Sequence, residues 1–290
     1  MYVVTGVTGR TGAVAANALL KAGERVRVVV RDPARGAAWA ARGAQVAVAD
    51  LGDSKAFARA LTGAWGAYLV SPPGYHLPDM FERAAAVADA VAQAVEAAQG
   101  PRLVLLSSIG AEQPQGTGVI ATNHLTEQRL RQLGTPLTVL RASYFMENWA
   151  GAINSVLTQG ILPSFLSPLH RRIPMVATQD IGEVAAQALC EQWAGSRTIA
   201  LEGPARHSPS DIAAILTRVA RRSVRAEAVE PSAWREVLGR MHLSCAAIAG
   251  FIEMNQALNS GLIAFGNDSD VIRVKGTTTF EAVAAKLLRQ

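Results

Sequence analysis

VVTGVTGRTG, residues 3–12, decides the fold. An apolar run stops at Thr5, and glycines follow at positions 6, 9 and 12 before the helical pattern GAVAANALLKAG runs on to Gly23. A strand that turns through glycines into a helix can bring backbone N–H groups against a pyrophosphate, while the helix N-terminus adds partial positive charge. The spacing is G-x-x-G-x-x-G, which differs from the usual G-x-G-x-x-G fingerprint. The position between a first strand and a first helix is what makes it a dinucleotide loop. Gly6, Thr8, Gly9, Arg10, Thr11 and Gly12 are its candidate contacts.

The residue that ends the second strand separates NAD from NADP. An acidic group there accepts from the ribose 2′-hydroxyl, whereas an arginine pairs with a 2′-phosphate. In VVVRDP the apolar run ends on Arg31, with Arg35 one turn later. Asp32 is expected to point away and cap the helix that follows. NADP(H) is therefore the expected cofactor.

Strand and helix patterns alternate through the first 145 residues. RVRVVVRD, AQVAVADL, GAYLVSP, PRLVLLSS and LTVLRA read as strands that are apolar throughout. DPARGAAWAARG, SKAFARALTG, residues 80–99 and NHLTEQRLRQLG read as helices. Such alternation implies a doubly wound α/β (Rossmann) parallel sheet covered on both faces. Ligands in such sheets bind beyond the carboxyl ends of the strands. Asp50 and Leu51 are placed there to bracket the adenine, and Ser71, Pro72 and Pro73 to pass beside the nicotinamide ribose. LLSSIGA, containing Ser107, is expected beneath the nicotinamide.

After Ala142 the rhythm changes. SYFMENWAGAINSVLTQG is amphipathic, and ILPSFLSPLHRRIPMV is interrupted by prolines. TQDIGEVAAQALCEQWAG predicts a helix with Thr178 as N-cap. RTIALEG predicts a strand returning to the edge of the main sheet. Residues 1–150 are expected to form the dinucleotide-binding domain and 151–290 a smaller, mostly helical substrate lobe, with 174–203 returning to the first domain.

Composition narrows the classes. Of 290 residues, 50% are hydrophobic and 18% charged, so the chain is expected to bury a substantial core instead of staying disordered. The net charge of +5 comes from scattered basic residues, so a nucleic-acid partner is not expected. No apolar run approaches the roughly 20 residues that span a bilayer. The first strand begins near Tyr2 and leaves no room for a signal peptide, which makes the cytoplasm the expected location. Two cysteines, Cys190 and Cys245, support neither a disulfide framework nor a metal site.

The combination of TGVTGRTG, Arg31 after the second strand, LLSSIGA, LTVLRASYFMEN and IPMVATQDIGEVAAQAL resembles the NmrA-like group of atypical short-chain dehydrogenases/reductases. The resemblance implies an NADP(H)-binding protein. The group contains reductases and also regulators that bind NADP(H) without turning it over and act on a protein partner. SPPGY, SYFMENW and LEGPARHSPSDIAAILTRVARR look most similar to ergot-alkaloid-type oxidoreductases, which reduce cyclic iminium compounds.

Carbonyl reduction in the wider superfamily uses a Tyr-x-x-x-Lys pair, and this chain has none. Many NmrA-like reductases carry a lysine four residues before a helical glutamate. Here the glutamate is Glu127 and the earlier position is Asn123. Two readings remain: a non-catalytic NADP(H) sensor, or a reductase whose acceptor needs little acid catalysis. For the second, Ser108, His124 and Tyr144 are the candidate catalytic groups. Tyr75, His76, Ile109, Asn123, Tyr144, Phe145, Met146 and Trp149 are the candidate substrate contacts. Glu147 and Asn148 are expected to brace the crossing from sheet to lobe.

Overall fold

Apolar strands buried on two faces need helices on both sides, and the chain supplies them in order. The computed structural model describes residues 1–266 and 269–289. It begins with β1 (Tyr2–Val4), α1 (Arg10–Lys21), β2 (Val26–Val30), α2 (Ala37–Ala40), β3 (Gln45–Val48) and α3 (Ser54–Leu61). Next come β4 (Gly66–Leu69), α4 (Met80–Ala97), β5 (Arg102–Ser108), α5 (Ala121–Arg131) and β6 (Leu137–Ala142). Beyond them lie β7 (Tyr144–Phe145), α6 (Ile153–Gln159), β8 (Ile161–Ser164), β9 (Ile173–Val176), α7 (Thr178–Cys190) and β10 (Ser196–Glu202). The chain continues through β11 (Arg206–His207), α8 (Pro209–Ala220), β12 (Arg225–Ala228) and α9 (Trp234–Gly239). It ends with α10 (Cys245–Ser260), β13 (Val271–Lys275) and α11 (Phe280–Leu287).

Eight strands form one sheet in the order β13-β10-β6-β5-β4-β1-β2-β3, and every neighbouring pair is parallel. Alternate side chains divide its two faces. Tyr2, Val4, Val28 and Tyr68 pack under α1 and α7, which carry Ala15, Leu19, Ile181 and Ala185. Val3, Val29, Leu69 and Leu105 face Phe57 of α3, Val91 of α4 and Leu130 of α5. Strand order reverses between β1 and β4, which opens a crevice at their carboxyl ends.

A third cluster joins Met146, Trp149, Ile153, Leu162, Ile212, Leu216 and Phe280 into the core of the lobe. Two small sheets, β11-β9-β7 and β12-β8, stitch its segments together.

Four elements differ from the sequence expectation. Residues 32–43 do not form one helix: a tight turn at Pro33–Gly36 leads into the single turn of α2. Gly36 lies against the side chain of Val46, 3.2 Å from Val46 Cγ2 to a Cβ built on it, so the segment hugs β3. Residues 143–160 are not one amphipathic helix either; β7 pairs with β9, a 3₁₀ segment follows at Met146–Ala152, and only α6 is α-helical. Thr178 is the first helical residue and not the cap, because the carboxylate of Glu147 fills that role. β10 is not the sheet edge, because β13 pairs outside it.

α8 shows how the lobe is braced. Ser208 and Asp211 form a reciprocal capping box, and Arg172 contacts the same carboxylate at 2.8 Å. The hydrogen bond from Arg172 holds the Asp211 carboxyl down at about 2. A depressed carboxylate contributes stability that is full above its ordinary range and lost as pH falls through the folded value. Asp211→Asn is expected to lower the melting temperature by about 1–3 °C at neutral pH. Melts taken at successively lower pH should show the gap closing between pH 4 and pH 2.

Candidate active site

The three loop glycines have three different environments. Gly6 has φ +66°, a left-handed conformation that suits glycine. Gly12 has no room for a side chain: a Cβ there would stand 2.5 Å from the Thr5 carbonyl oxygen. Gly9 is different, since a Cβ would meet only the Gly6 carbonyl oxygen at 3.3 Å. The chain itself therefore crowds position 9 far less than position 12, whereas a ligand lying against the backbone would exclude a side chain there. Gly9 caps α1 without a side-chain hydrogen bond, and the first turn holds no acidic residue. By contrast α3, α8, α10 and α11 are capped by Asp53, Ser208, Ser244 and Thr279. Thr8, Gly9 and Arg10 are exposed at this open N-terminus, and Thr11 is buried behind them.

Thr5 fixes the loop. Its hydroxyl donates to the Tyr68 carbonyl at 3.0 Å and accepts from the Val70 N–H at 2.8 Å. The ends of β1 and β4 are thus locked side by side, so the glycine loop and the segment holding Ser71, Pro72 and Pro73 share one crevice. The sequence reading passed over Thr5, because nothing in the pattern distinguishes it from an ordinary strand end.

At the end of β2, Arg31 and Arg35 are exposed. Neither side chain is in a hydrogen bond or ion pair with the described residues, although the Arg35 N–H donates to the Asp32 carbonyl at 3.1 Å. Asp32 accepts from the Ala34 N–H at 2.9 Å and caps the turn. The local charge open to a ligand is positive. At the end of β3, Asp50 accepts from the Gly52 N–H at 2.7 Å and pairs with Arg83 at 3.3 Å. Leu51 joins the apolar group beneath α3 and α4.

The ends of β5 and β6 rest on a buried ionic network. Glu127, 1% exposed, accepts from the Ser107 hydroxyl at 2.5 Å and from Arg141 Nε and Nη2 at 3.0 and 2.7 Å. Arg141 also meets Glu112 at 3.2 Å. The Ser107 side chain is therefore turned down into this network. The Ser108 hydroxyl donates to the Ile109 carbonyl at 3.0 Å. His124 Nδ1 lies 2.9 Å from the Ala111 carbonyl oxygen, an acceptor, so this bond requires the proton on Nδ1. A neutral His124 then carries a lone pair on Nε2, which makes that atom an acceptor and not a donor.

Tyr144 packs against Trp149 with ring centroids 6.2 Å apart. Burial pushes its hydroxyl up to about 12, against a smaller opposite pull from a hydrogen bond with Asn148. Ile109, Met146 and Trp149 join Tyr144 in one apolar cluster with Ile120. Met146 is fully buried and lies under Gly203, so it is core and not an open wall. Phe145 points the other way, to the α1–α7 face, because successive strand residues alternate. Glu147 accepts from the Thr178 N–H and hydroxyl at 3.0 and 2.6 Å, capping α7 from outside the helix. Asn123 stands in the first turn of α5 beside His124.

Tyr75 is drawn toward α10. Its ring meets Phe251 edge to face at 4.9 Å, and its carbonyl accepts from the Ser244 N–H at 2.9 Å. His76, next in sequence, is exposed. Met254 of α10 touches both the Tyr75 cluster and the Trp149 cluster. This helix packs on Tyr75 and on the turn at Gly118–Ile120, in the segments that follow β4 and β5. Phe251 and Met254 were not anticipated, because the apolar pattern of α10 reads as simple core. Among the described residues no three His, Cys, Asp or Glu side chains gather as a metal site, and no helix is long and apolar enough to cross a membrane.

Comparison with known proteins agrees with this geometry. Residues 2–278 match the NmrA-like family, and the chain belongs to it. It is 32% identical over 243 residues to a (4-alkanoyl-5-oxo-2,5-dihydrofuran-3-yl)methyl phosphate reductase of Streptomyces griseus, covering 82% of this chain and 80% of the relative. Identity is 27% over 230 residues to an NAD(P)H azoreductase of Xenophilus azovorans, with 79% and 77% covered. The structure of a Citrobacter triphenylmethane reductase complexed with NADP(H) superposes with a TM-score of 0.82 at 20% identity, covering 99% of this chain and all of that one.

Proposed function

We propose that this NmrA-like protein is an NADPH-dependent reductase of a small, largely apolar organic substrate carrying an iminium C=N or conjugated C=C bond. One observation carries the reading: Arg31 and Arg35 stand unpaired at the end of β2, while the neighbouring Asp32 is engaged in its own turn. The open cradle at Gly9 fits the pyrophosphate, with Arg10, Thr11 and Gly12 at the start of α1. Asp50 and Leu51 flank the adenine, and Ser71–Pro73 and Ser107 border the nicotinamide half. NADPH, when bound, supplies the hydride.

Arg31→Ala tests the cofactor assignment. One charge-assisted contact contributes about 1.5–3 kcal/mol, or roughly ten- to a hundredfold in affinity. Titration of both dinucleotides should show NADPH weakened by that factor and NADH unchanged. Equal affinity for the two in the wild-type protein would overturn the assignment.

The Ser108 and Tyr144 hydroxyls are poor acids, and this favours the iminium over the conjugated C=C, whose reduction must also deliver a proton. Ser108 donates to a carbonyl, His124 is held through Nδ1 by the Ala111 carbonyl, and burial keeps the proton on Tyr144. An iminium carbon already carries positive charge, so hydride addition yields a neutral amine without protonation by the protein. The names of the relatives, a (4-alkanoyl-5-oxo-2,5-dihydrofuran-3-yl)methyl phosphate reductase and an NAD(P)H azoreductase, support the reductase reading. General-acid assistance is worth about 10²–10⁴-fold, so NADPH oxidation is expected to be slower by that order with a ketone than with the matched cyclic iminium. Comparable rates for the pair would contradict the reading.

The pH profile gives a separate check. Burial disfavours the tyrosinate, so Tyr144 stays protonated until about pH 12 instead of 10. With an acceptor whose own ionisation is complete, kcat/KM is expected to show no tyrosine limb through pH 10. A limb near pH 10 that disappears in Tyr144→Phe would show the residue ionising in the working range.

A further inference from the structure

α10 joins the two segments that follow β4 and β5. On the β4 side its cap residue Ser244 donates its N–H to the Tyr75 carbonyl at 2.9 Å, and the Phe251 ring meets Tyr75 edge to face at 4.9 Å. On the β5 side the helix is seated backbone on backbone. A Cβ on Gly118 would collide with the Gly250 carbonyl and stand 2.7 Å from the Met254 nitrogen. One on Gly250 would press into Val119 Cγ1 at 2.9 Å. Contact this close leaves the helix no room to move inward, so the space beside it depends on the side chains it carries. Phe251 and Met254 are half-buried, each with surface left open. Met254 also touches the cluster of Trp149 and Tyr144. Tyr75, Phe251, Met254, Trp149 and Tyr144 thus make one apolar row from the segment after β4 to β7.

We propose that Phe251 sets the size of the largest acceptor this protein takes. The inference rests on the reductase reading, which puts the acceptor beside Tyr75, Tyr144 and Trp149. A monocyclic iminium lies along the row without displacing it. A fused bicyclic one competes with the Phe251 ring for the same space, and overfilling a packed apolar site is unfavourable. Truncating the ring frees the volume of a phenyl group and removes that conflict.

Isothermal titration of two permanent cations into the NADP⁺-saturated protein tests this: the N-methylated salts of 2-methyl-1-pyrroline and of 1-methyl-3,4-dihydroisoquinoline. The affinities carry the size inference, and NADPH oxidation, followed separately, carries the reductase reading. The wild-type protein is expected to bind the monocyclic salt more tightly. In Phe251→Ala the ratio of affinities should move toward the bicyclic salt by at least about tenfold, the scale of one methylene in an apolar pocket. Phe251→Leu keeps more of the volume, should move the ratio less, and carries the test if the alanine variant does not fold. A protein that is merely destabilised would weaken both salts alike. A ratio unchanged in both variants, a wild type that already prefers the bicyclic salt, or no binding of either salt to any of the three proteins would each overturn the proposal.

Discussion

Gly9→Val is expected to fold as the wild-type protein does and to lose NADPH binding by at least about a hundredfold. The two halves of that result have separate causes. Position 9 has φ −102°, open to any residue, and a Cβ there meets a single atom, the Gly6 carbonyl oxygen at 3.3 Å, a close contact that a shift of a few tenths of an ångström relieves. The branched side chain would nevertheless stand over the start of α1, where the pyrophosphate has to approach the N–H groups. Losing two charge-assisted hydrogen bonds, at about 1.5–3 kcal/mol each, accounts for two orders of magnitude or more. Gly12→Val is the contrasting control. Its side chain would press into the Thr5 carbonyl, so the expected loss is of folded protein. Circular dichroism and a fluorescence titration of NADPH distinguish the two. A Gly9→Val protein that binds NADPH normally would show the loop to be structural.

Glu127→Ala is expected to destabilise the fold by about 3 kcal/mol, near the lower end of the range for breaking a buried ion pair. Glu127 is 1% exposed and neutralises Arg141, whose side chain is 13% exposed. Removing the carboxylate leaves the Ser107 hydroxyl without its acceptor, while Glu112 still pairs with Arg141. That residual pairing keeps the cost from the upper end of the range. The network also ties α5 to β5 and β6, so the first turn of α5 should shift with Asn123 and His124. Urea unfolding measures the first effect. A loss below about 1 kcal/mol would mean that the pair behaves as a surface contact.

The doubly wound sheet was legible because its strands are short apolar runs, most of them ended by a glycine or proline signal. Residues 80–99 read as a helix for the same reason: small apolar residues recur at helical spacing over five turns. β13 was not legible. VIRVK carries Arg273 and Lys275 on an edge, the charged pattern that keeps edges from pairing with other chains, and its partner β10 lies about seventy residues earlier. The segment from 143 to 160 misled for another reason. Its apolar spacing is helical, but β9 offers a strand partner to Tyr144 and Phe145, and tertiary pairing overrides local preference.

In the site, residues whose chemistry belongs to one position were readable. The glycine loop lies between β1 and α1, Arg31 follows β2, and Asp32 caps its own turn, as their types and places imply. Roles that depend on a distant partner were not. Ser107 turns away toward Glu127, and Glu147 caps a helix that begins 31 residues later. Phe251 and Met254 meet Tyr75 and Val119 through the docking of α10, a packing that no local pattern reveals.

Direct hydride transfer is the central claim, and isotope tracing measures it. NADPH carrying deuterium at the transferable position, incubated with the protein and a panel of cyclic iminium and conjugated acceptors, is expected to give a product with one deuterium on the reduced carbon. Mass spectrometry should find it on that carbon even in ordinary water. Tight NADPH binding with no product deuterium across the whole panel would contradict the reductase and leave a dinucleotide sensor.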